Sequence, residues 1–395
     1  MSAATAASPV RTGPFQVMIA DDSAIVRGML TRWMDEVTDL KMIGYAPDGA
    51  QAIKRVAELQ PELLILDVEM PVMGGLEALP GLLKACPGLQ IVMASTLTTQ
   101  GGKVALEALD LGAVDYVAKP SASHLGGANA YRDDLFEKLR RLGESSRRRA
   151  ASRYAYSQTS RVARPVEAAP SPAPARSAIA TAASIAPRRE LAASIASHPP
   201  VEPAVLLLAA STGGPPALKT FLKSLGPNWP TPILIVQHMP ANFTPVLAEQ
   251  LSKVGGPSVV EAKDGMRIEA GHAYLAPGGW HMRLANEEGR VVTKLDQGPE
   301  ENYCRPAADP LFRSAAALFG RRVLGVVMTG MGKDGQNGSQ VVTDAGGRVF
   351  AQDEASSVVW GMPGSVVNAG LASKVAPVDV LAQSALVTVR RSAAR

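Results

Sequence analysis

The sequence predicts an α/β protein built from two parallel-sheet domains separated by a linker. Short apolar runs alternate with helical patterns through residues 15–132 and again through 201–393. Most of these runs end abruptly in a polar residue, as buried parallel strands do when they deliver side chains to one sheet edge. Between the two regions, residues 133–200 are rich in Ala, Pro, Ser and Arg and poor in large apolar residues. Such a segment cannot bury enough surface to offset chain entropy, so a flexible linker is expected there.

At 395 residues the chain can form two or three cores. No apolar run approaches the ~20 residues of a membrane helix. The N-terminus lacks the charged-then-apolar order of a signal peptide. Cys86 and Cys304 are the two cysteines, too few for a disulfide framework or a cysteine metal site. A cytoplasmic location is expected. Residues 133–200 carry twelve Lys or Arg against six Asp or Glu, more than the whole chain's net +4. The basic excess therefore belongs to the linker and says little about a nucleic-acid surface on the folded parts.

In the first domain, strands are expected at 15–20, 42–46, 63–66, 91–94 and 115–120. Helices are expected around Ile25–Trp33, over 49–59, from Met70-Pro71 to about Leu83, over 101–111 and over 131–142. This is a doubly wound sheet. Its strand ends bring Asp21, Asp22 and Asp67 to one edge, with Ser95 and Lys119 beside them. Clustered carboxylates repel unless a cation neutralises them, which points to Mg²⁺ with a phosphate-type oxygen.

These residues give the first resemblance: 15–132 is similar to a two-component response regulator receiver, a flavodoxin-like domain. The resemblance implies that Asp67, in LDVEMP, accepts a phosphoryl group from a chemotaxis histidine kinase. It implies Mg²⁺ held by Asp21, Asp22 and Asp67 with the backbone carbonyl of Glu69. Ser95 and Lys119 would bind the phosphoryl oxygens, and Tyr116 matches the aromatic that follows the switch. Met73-Gly74-Gly75-Leu76 departs from the MDGL often found there, outside the site.

The second domain opens on Val205–Leu218. An apolar strand runs into Ser211-Thr212-Gly213-Gly214, and Pro215 and Pro216 suit the first turn of a helix. Ser211 is thereby a candidate nucleophile at a strand end; the alternative is that Ser211 and Thr212 cap the helix. Further strands are expected at 233–236, 323–330 and 348–354, with helices over 244–252 and 308–319. VVEA, HAYLAPGGWHMRL and RVVTKL read as short strands and hairpins with Pro-Gly-Gly as a turn.

A serine nucleophile needs a base, and the base an orienting acid. Of the five histidines, His124 closes the first domain, His198 lies in the linker, and His272 and His281 flank a turn. His238 alone follows an apolar strand directly, as Ser211 does, and Asp334 sits past a third. Ala209 breaks the G-x-S-x-G elbow and the order Ser, His, Asp is not that of α/β-hydrolases. Gly332-Lys333-Asp334 is no P-loop.

ASTGGP, VQHMP with Phe243-Thr244, CRPAADPLFRSAA, TGMGKDG and AQDEASSVVWGMP carry a second resemblance, to chemotaxis protein-glutamate methylesterases. It spans nearly all of 201–393, and a receiver joined by a linker to this domain is that family's architecture. It implies a serine hydrolase with Ser211 as nucleophile, His238 as base, Asp334 as orienter and the Met331 N–H in the oxyanion hole. Its substrates would be glutamate γ-methyl esters, and also glutamines, on methyl-accepting chemoreceptors, with no cofactor for the ester chemistry. A monomer without membrane insertion is expected. Ala209 stands where glycine is frequent, and Cys304 where histidine often stands. The rival outputs are a DNA-binding segment after the receiver and a phosphate-binding module without catalysis.

Overall fold

The computed structural model describes residues 11–96, 98–119, 127–162 and 201–393. His124, His198 and linker residues 163–200 lie outside the described residues. No helix among the described residues is long and apolar enough to cross a membrane.

The N-terminal half is a five-stranded parallel sheet of order β2-β1-β3-β4-β5. Its strands are β1 (Phe15–Ala20), β2 (Leu40–Ala46), β3 (Leu63–Asp67), β4 (Gln90–Thr96) and β5 (Asp115–Lys119). The helices are α1 (Ala24–Asp35), α2 (Gly49–Leu59), α3 (Gly75–Ala85), α4 (Thr99–Asp110) and α5 (Gly127–Val162). Every residue of β3 is buried, which is why it reads as a continuous apolar run rather than an alternation. Ser23, Asp48 and Thr98 cap α1, α2 and α4 through their side chains.

The C-terminal half is a seven-stranded parallel sheet of order β14-β13-β12-β6-β7-β9-β8, with a separate antiparallel hairpin β10-β11. The strands are β6 (Val205–Ala210), β7 (Ile233–Gln237), β8 (Ser258–Glu261), β9 (His272–Leu275), β10 (His281–Glu287), β11 (Arg290–Asp296), β12 (Val323–Val327), β13 (Arg348–Gln352) and β14 (Lys374–Ala376). Helices α6 (Gly214–Leu225), α7 (Thr244–Ser252) and α11 (Val378–Ala393) cover one face; α8 (Ala308–Phe319), α9 (Gln336–Asp344) and α10 (Met362–Asn368) cover the other. Successive residues of β6 divide accordingly, Leu206 and Leu208 into one core and Val205 and Leu207 into the other. From β6 the chain winds outward to β7 on one side and returns to β12 on the other. The crevice beside β6 is therefore a topological switch point, where such sheets bind ligands.

Two expectations need correction. The helix expected to stop at 142 continues to Val162, so the linker expected from 133 begins as helix. Polar anchors rather than an apolar stripe hold this extension. Arg147 pairs with Glu62 at 2.6 Å and lies over the Phe15 ring, and Ser145 and Arg149 donate to the Val358 carbonyl. Pro277-Gly278-Gly279 is not a hairpin turn. It carries the chain from β9, which pairs in parallel within the main sheet, to β10, whose partner is β11.

Candidate active site

At the end of the first sheet, Asp21, Asp22 and Asp67 bring carboxylate oxygens within 4.8 Å of one another. Asp21 and Asp67 are buried and Asp22 is exposed. Lys119 Nζ sits 2.9 Å from Asp21 and 2.7 Å from Asp67. Burial, the largest influence, pushes the Asp67 carboxyl above its ordinary pKa, and Asp21 adds to this against the opposing Lys119. For Lys119, burial works downward, but the two carboxylates prevail and raise it. An all-oxygen donor set with excess negative charge fits a hard divalent cation such as Mg²⁺. Ser95 is buried at the end of β4, its hydroxyl 3.2 Å from the Gly101 carbonyl, and Glu69 is exposed in the loop after β3.

At the end of the second sheet, Ser211, His238 and Asp334 follow β6, β7 and β12, three adjacent strands. His238 Nε2 lies 2.7 Å from Asp334 Oδ2. Asp334 is 1 % exposed and also accepts from the backbone N–H groups of Ala308 at 2.6 Å and Asp309 at 3.2 Å. Asn302 bridges it to Asp309. Burial alone would raise the Asp334 pKa, but His238 and the two N–H donors outweigh it and hold the carboxylate ionised. For His238, burial works downward, while Cys304 and Asp334 raise its pKa above the ordinary value.

An ionised carboxylate can only accept, so Nε2 carries a hydrogen, and in the neutral ring the lone pair sits on Nδ1; this tautomer is assigned from the network. Cys304 Sγ lies 3.4 Å from that Nδ1. The Ser211 hydroxyl lines the same cleft and makes no hydrogen bond among the described residues.

The helix after Ser211 does not use it as a cap. Gly213 is the N-cap of α6, with φ 73° and no side-chain cap bond. A Cβ there would press on Val358 at 2.6–2.7 Å as well as strain the backbone. Gly214 N–H closes the turn onto the Ser211 carbonyl at 2.7 Å, and Gln237 Nε2 donates to that same carbonyl at 2.9 Å. The Ser211 side chain is thus free for chemistry while its backbone is held. The Met331 N–H donates to nothing among the described residues and lines the cleft.

The two sheets meet here. Thr212 Oγ1 donates to Asp115 Oδ2 at 2.6 Å, and Lys219 donates to Asp110 at 2.6 Å. The Tyr116 ring stacks on Phe243, centroids 4.7 Å apart and planes 16° apart. One apolar cluster runs from the first domain through Tyr116 and Phe243 into the second. The resulting cleft, about 580 Å³, is walled by Asp115, Tyr116 and Lys138 on one side and by Ser211, His238 and Cys304 on the other.

The structure therefore groups Asp21, Asp22, Asp67 and Lys119 at one sheet edge and pairs His238 with Asp334 at the other, where Ser211 lines the same cleft. His272 is exposed, and His281 is fully buried with both ring nitrogens on backbone groups, Pro299 O and Ala307 N. Both stand apart from the cleft. Sequence reasoning missed Thr212, Asn302 and the place of Cys304 on His238. The stretch Asn302-Tyr303-Cys304 carries a signal only in its neighbourhood to CRPAADP, because consecutive positive φ at Asn302 and Tyr303 is a conformation the residue types do not announce.

A family model described as CheB methylesterase matches residues 206–385, and one described as response regulator receiver domain matches 17–125. The chain is 50% identical over 365 residues to the protein-glutamate methylesterase/protein-glutamine glutaminase 2 of Caulobacter vibrioides, covering 92% of this chain and 96% of the relative. It is 44% identical over 384 residues to the protein-glutamate methylesterase/protein-glutamine glutaminase of Maricaulis maris, covering 91% and 92%. Among solved structures it is similar to the Thermotoga maritima CheB methylesterase catalytic domain. That match has 38% identity and a TM-score of 0.46 and covers 47% of this chain and 98% of that one.

Proposed function

The chain belongs to the CheB methylesterase family, and from that premise we propose that it hydrolyses glutamate γ-methyl esters on chemoreceptors under control of phosphorylation at Asp67. Deamidation of receptor glutamines would follow the same acyl-enzyme route. The observation that carries the reading is the buried His238–Asp334 pair at the strand end next to Ser211.

In this reading Ser211 Oγ attacks the ester carbonyl and gives its proton to His238 Nδ1. His238 passes that proton to the departing methanol, and a water deprotonated by the same nitrogen resolves the acyl-enzyme. Asp334 holds the tautomer and stabilises the imidazolium. Cys304 Sγ lies 3.4 Å from that Nδ1, so the serine hydroxyl takes the thiol's place on the ring when substrate binds. The N–H of Met331, a residue lining the cleft, serves as an oxyanion donor, typically worth ~10²–10³ in rate.

At the receiver edge, Asp67 accepts a phosphoryl group from a histidine kinase. Asp21, Asp22 and Asp67, with the Glu69 carbonyl, would hold Mg²⁺, which when bound offsets phosphate charge. Ser95 and Lys119 bind the phosphoryl oxygens. The unphosphorylated receiver covers the Ser211 cleft through Asp115, Tyr116 and Lys138, leaving no room for a receptor helix, and phosphorylation loosens that face. Domain limits of 15–132 and 201–393 go with this reading.

The test is mass spectrometry of receptor methylation after incubation with wild-type and Ser211→Ala protein. Loss of the nucleophile is expected to cost about 10⁶ in turnover, as in subtilisin. A well-folded Ser211→Ala protein that demethylates at a near-normal rate overturns the assignment.

A further inference from the structure

The two cysteines differ sharply in surroundings. Cys86 is buried, its Sγ 3.6 Å from the Pro61 carbonyl oxygen, and burial pushes its thiol pKa up. Cys304 is half-buried on the cleft wall, with Sγ 3.4 Å from His238 Nδ1, while Asp334 holds the other ring nitrogen at 2.7 Å. Thiol, imidazole and carboxylate in series are the arrangement that activates a sulfur nucleophile. Among the described residues, Cys304 is the side chain that His238 Nδ1 engages.

We propose that Cys304, with His238 and Asp334, is a reactive thiol that exchanges with small peptidic disulfides, and that the mixed disulfide formed reversibly closes the Ser211 site. In the exchange His238 Nδ1 takes the thiol proton and Cys304 Sγ attacks one sulfur of the incoming disulfide. That S–S bond breaks, and the departing thiolate takes the proton back from His238. One thiol and one disulfide are consumed and one of each is formed, so the disulfide is the only oxidant required. The cleft of about 580 Å³ is of a size that takes a small ligand, so a tripeptide can enter where a receptor helix is blocked. The shut-off rests on the hydrolase reading of Ser211; the exchange does not.

The experiment incubates the full-length protein with glutathione disulfide at neutral pH and follows adducts by peptide mass spectrometry alongside hydrolysis of an activated ester. Cys304 is expected to gain the glutathionyl group while Cys86 does not. Ester hydrolysis should fall in step with the adduct, and dithiothreitol should restore it. Folded His238→Ala or His238→Gln protein should form the Cys304 adduct roughly 10²-fold more slowly. Equal adduct rates in wild type and both variants, or modification of Cys86 first, overturn the activated thiol. Full ester hydrolysis by the adduct overturns the shut-off. A wild type that hydrolyses no ester yet forms the adduct in a His238-dependent way supports the exchange and counts against the hydrolase reading alone.

Discussion

At the receiver edge, Asp67 and Asp21 share a single ammonium, Lys119, and burial leaves the Asp67 carboxyl raised. At the hydrolase edge, Asp334 is more deeply buried, 1 % against 6 % exposed, yet its pKa is lowered. Both acids end a buried strand or follow one, in parallel sheets of different strand order. The neighbours make the difference. Asp334 has an imidazole and two backbone N–H groups aimed at it, whereas Asp67 has one lysine, a lesser contribution from the Val68 N–H and a competing carboxylate. An under-neutralised carboxylate invites a cation and a phosphoryl group; a fully satisfied one orients a base and stays out of the chemistry.

The comparison breaks most visibly at Asp334. Asp334→Asn preserves shape but lets His238 take the wrong tautomer, and ester turnover is expected to fall by about 10⁴, measured with an activated ester. A loss of only a few-fold would mean that Asp334 is no orienter.

A smaller effect separates the two acids by pH. Only the neutral imidazole accepts a proton, so hydrolysis should fall as pH drops through the His238 pKa. That pKa is raised, which places the acid limb of kcat/KM above the ordinary histidine value of 6.5. Removing the negative charge in Asp334→Asn should move the limb to lower pH even as the rate falls. A limb that stays in place would detach His238 from Asp334.

The smallest effect concerns the contact between the edges. Asp115→Ala removes the acceptor for Thr212 from the receiver side. The hydrogen bond is worth about 1 kcal/mol, so demethylation by the unphosphorylated protein should rise about fivefold. An unchanged basal rate would make this contact irrelevant to closure.

The placement of Asp67, Ser211 and His238 was legible in the sequence because β3, β6 and β7 end at or just before them. Ile65-Leu66-Asp67, Val236-Gln237-His238 and Leu208-Ala209-Ala210-Ser211 announce both burial and chemistry. What could not be read depended on contacts between distant segments. The extension of α5 to Val162 is held by Arg147 on Glu62 and by Arg149 on the Val358 carbonyl, and neither leaves an apolar period. Cys304 reaches His238 through backbone at positive φ, which no periodicity records. Thr212 looked like a cap, but its hydroxyl crosses to the other domain.

The central claim is that the receiver face closes the Ser211 cleft and that phosphorylation of Asp67 opens it. The most direct measurement is the receptor demethylation rate of the full-length protein before and after phosphotransfer from the kinase with Mg²⁺, beside the Asp67→Asn variant. The account predicts a large rise for wild type, since a few kcal/mol between closed and open states suffices, and none for Asp67→Asn. Equal rates for phosphorylated and unphosphorylated wild type, or a rise that persists in Asp67→Asn, would contradict it.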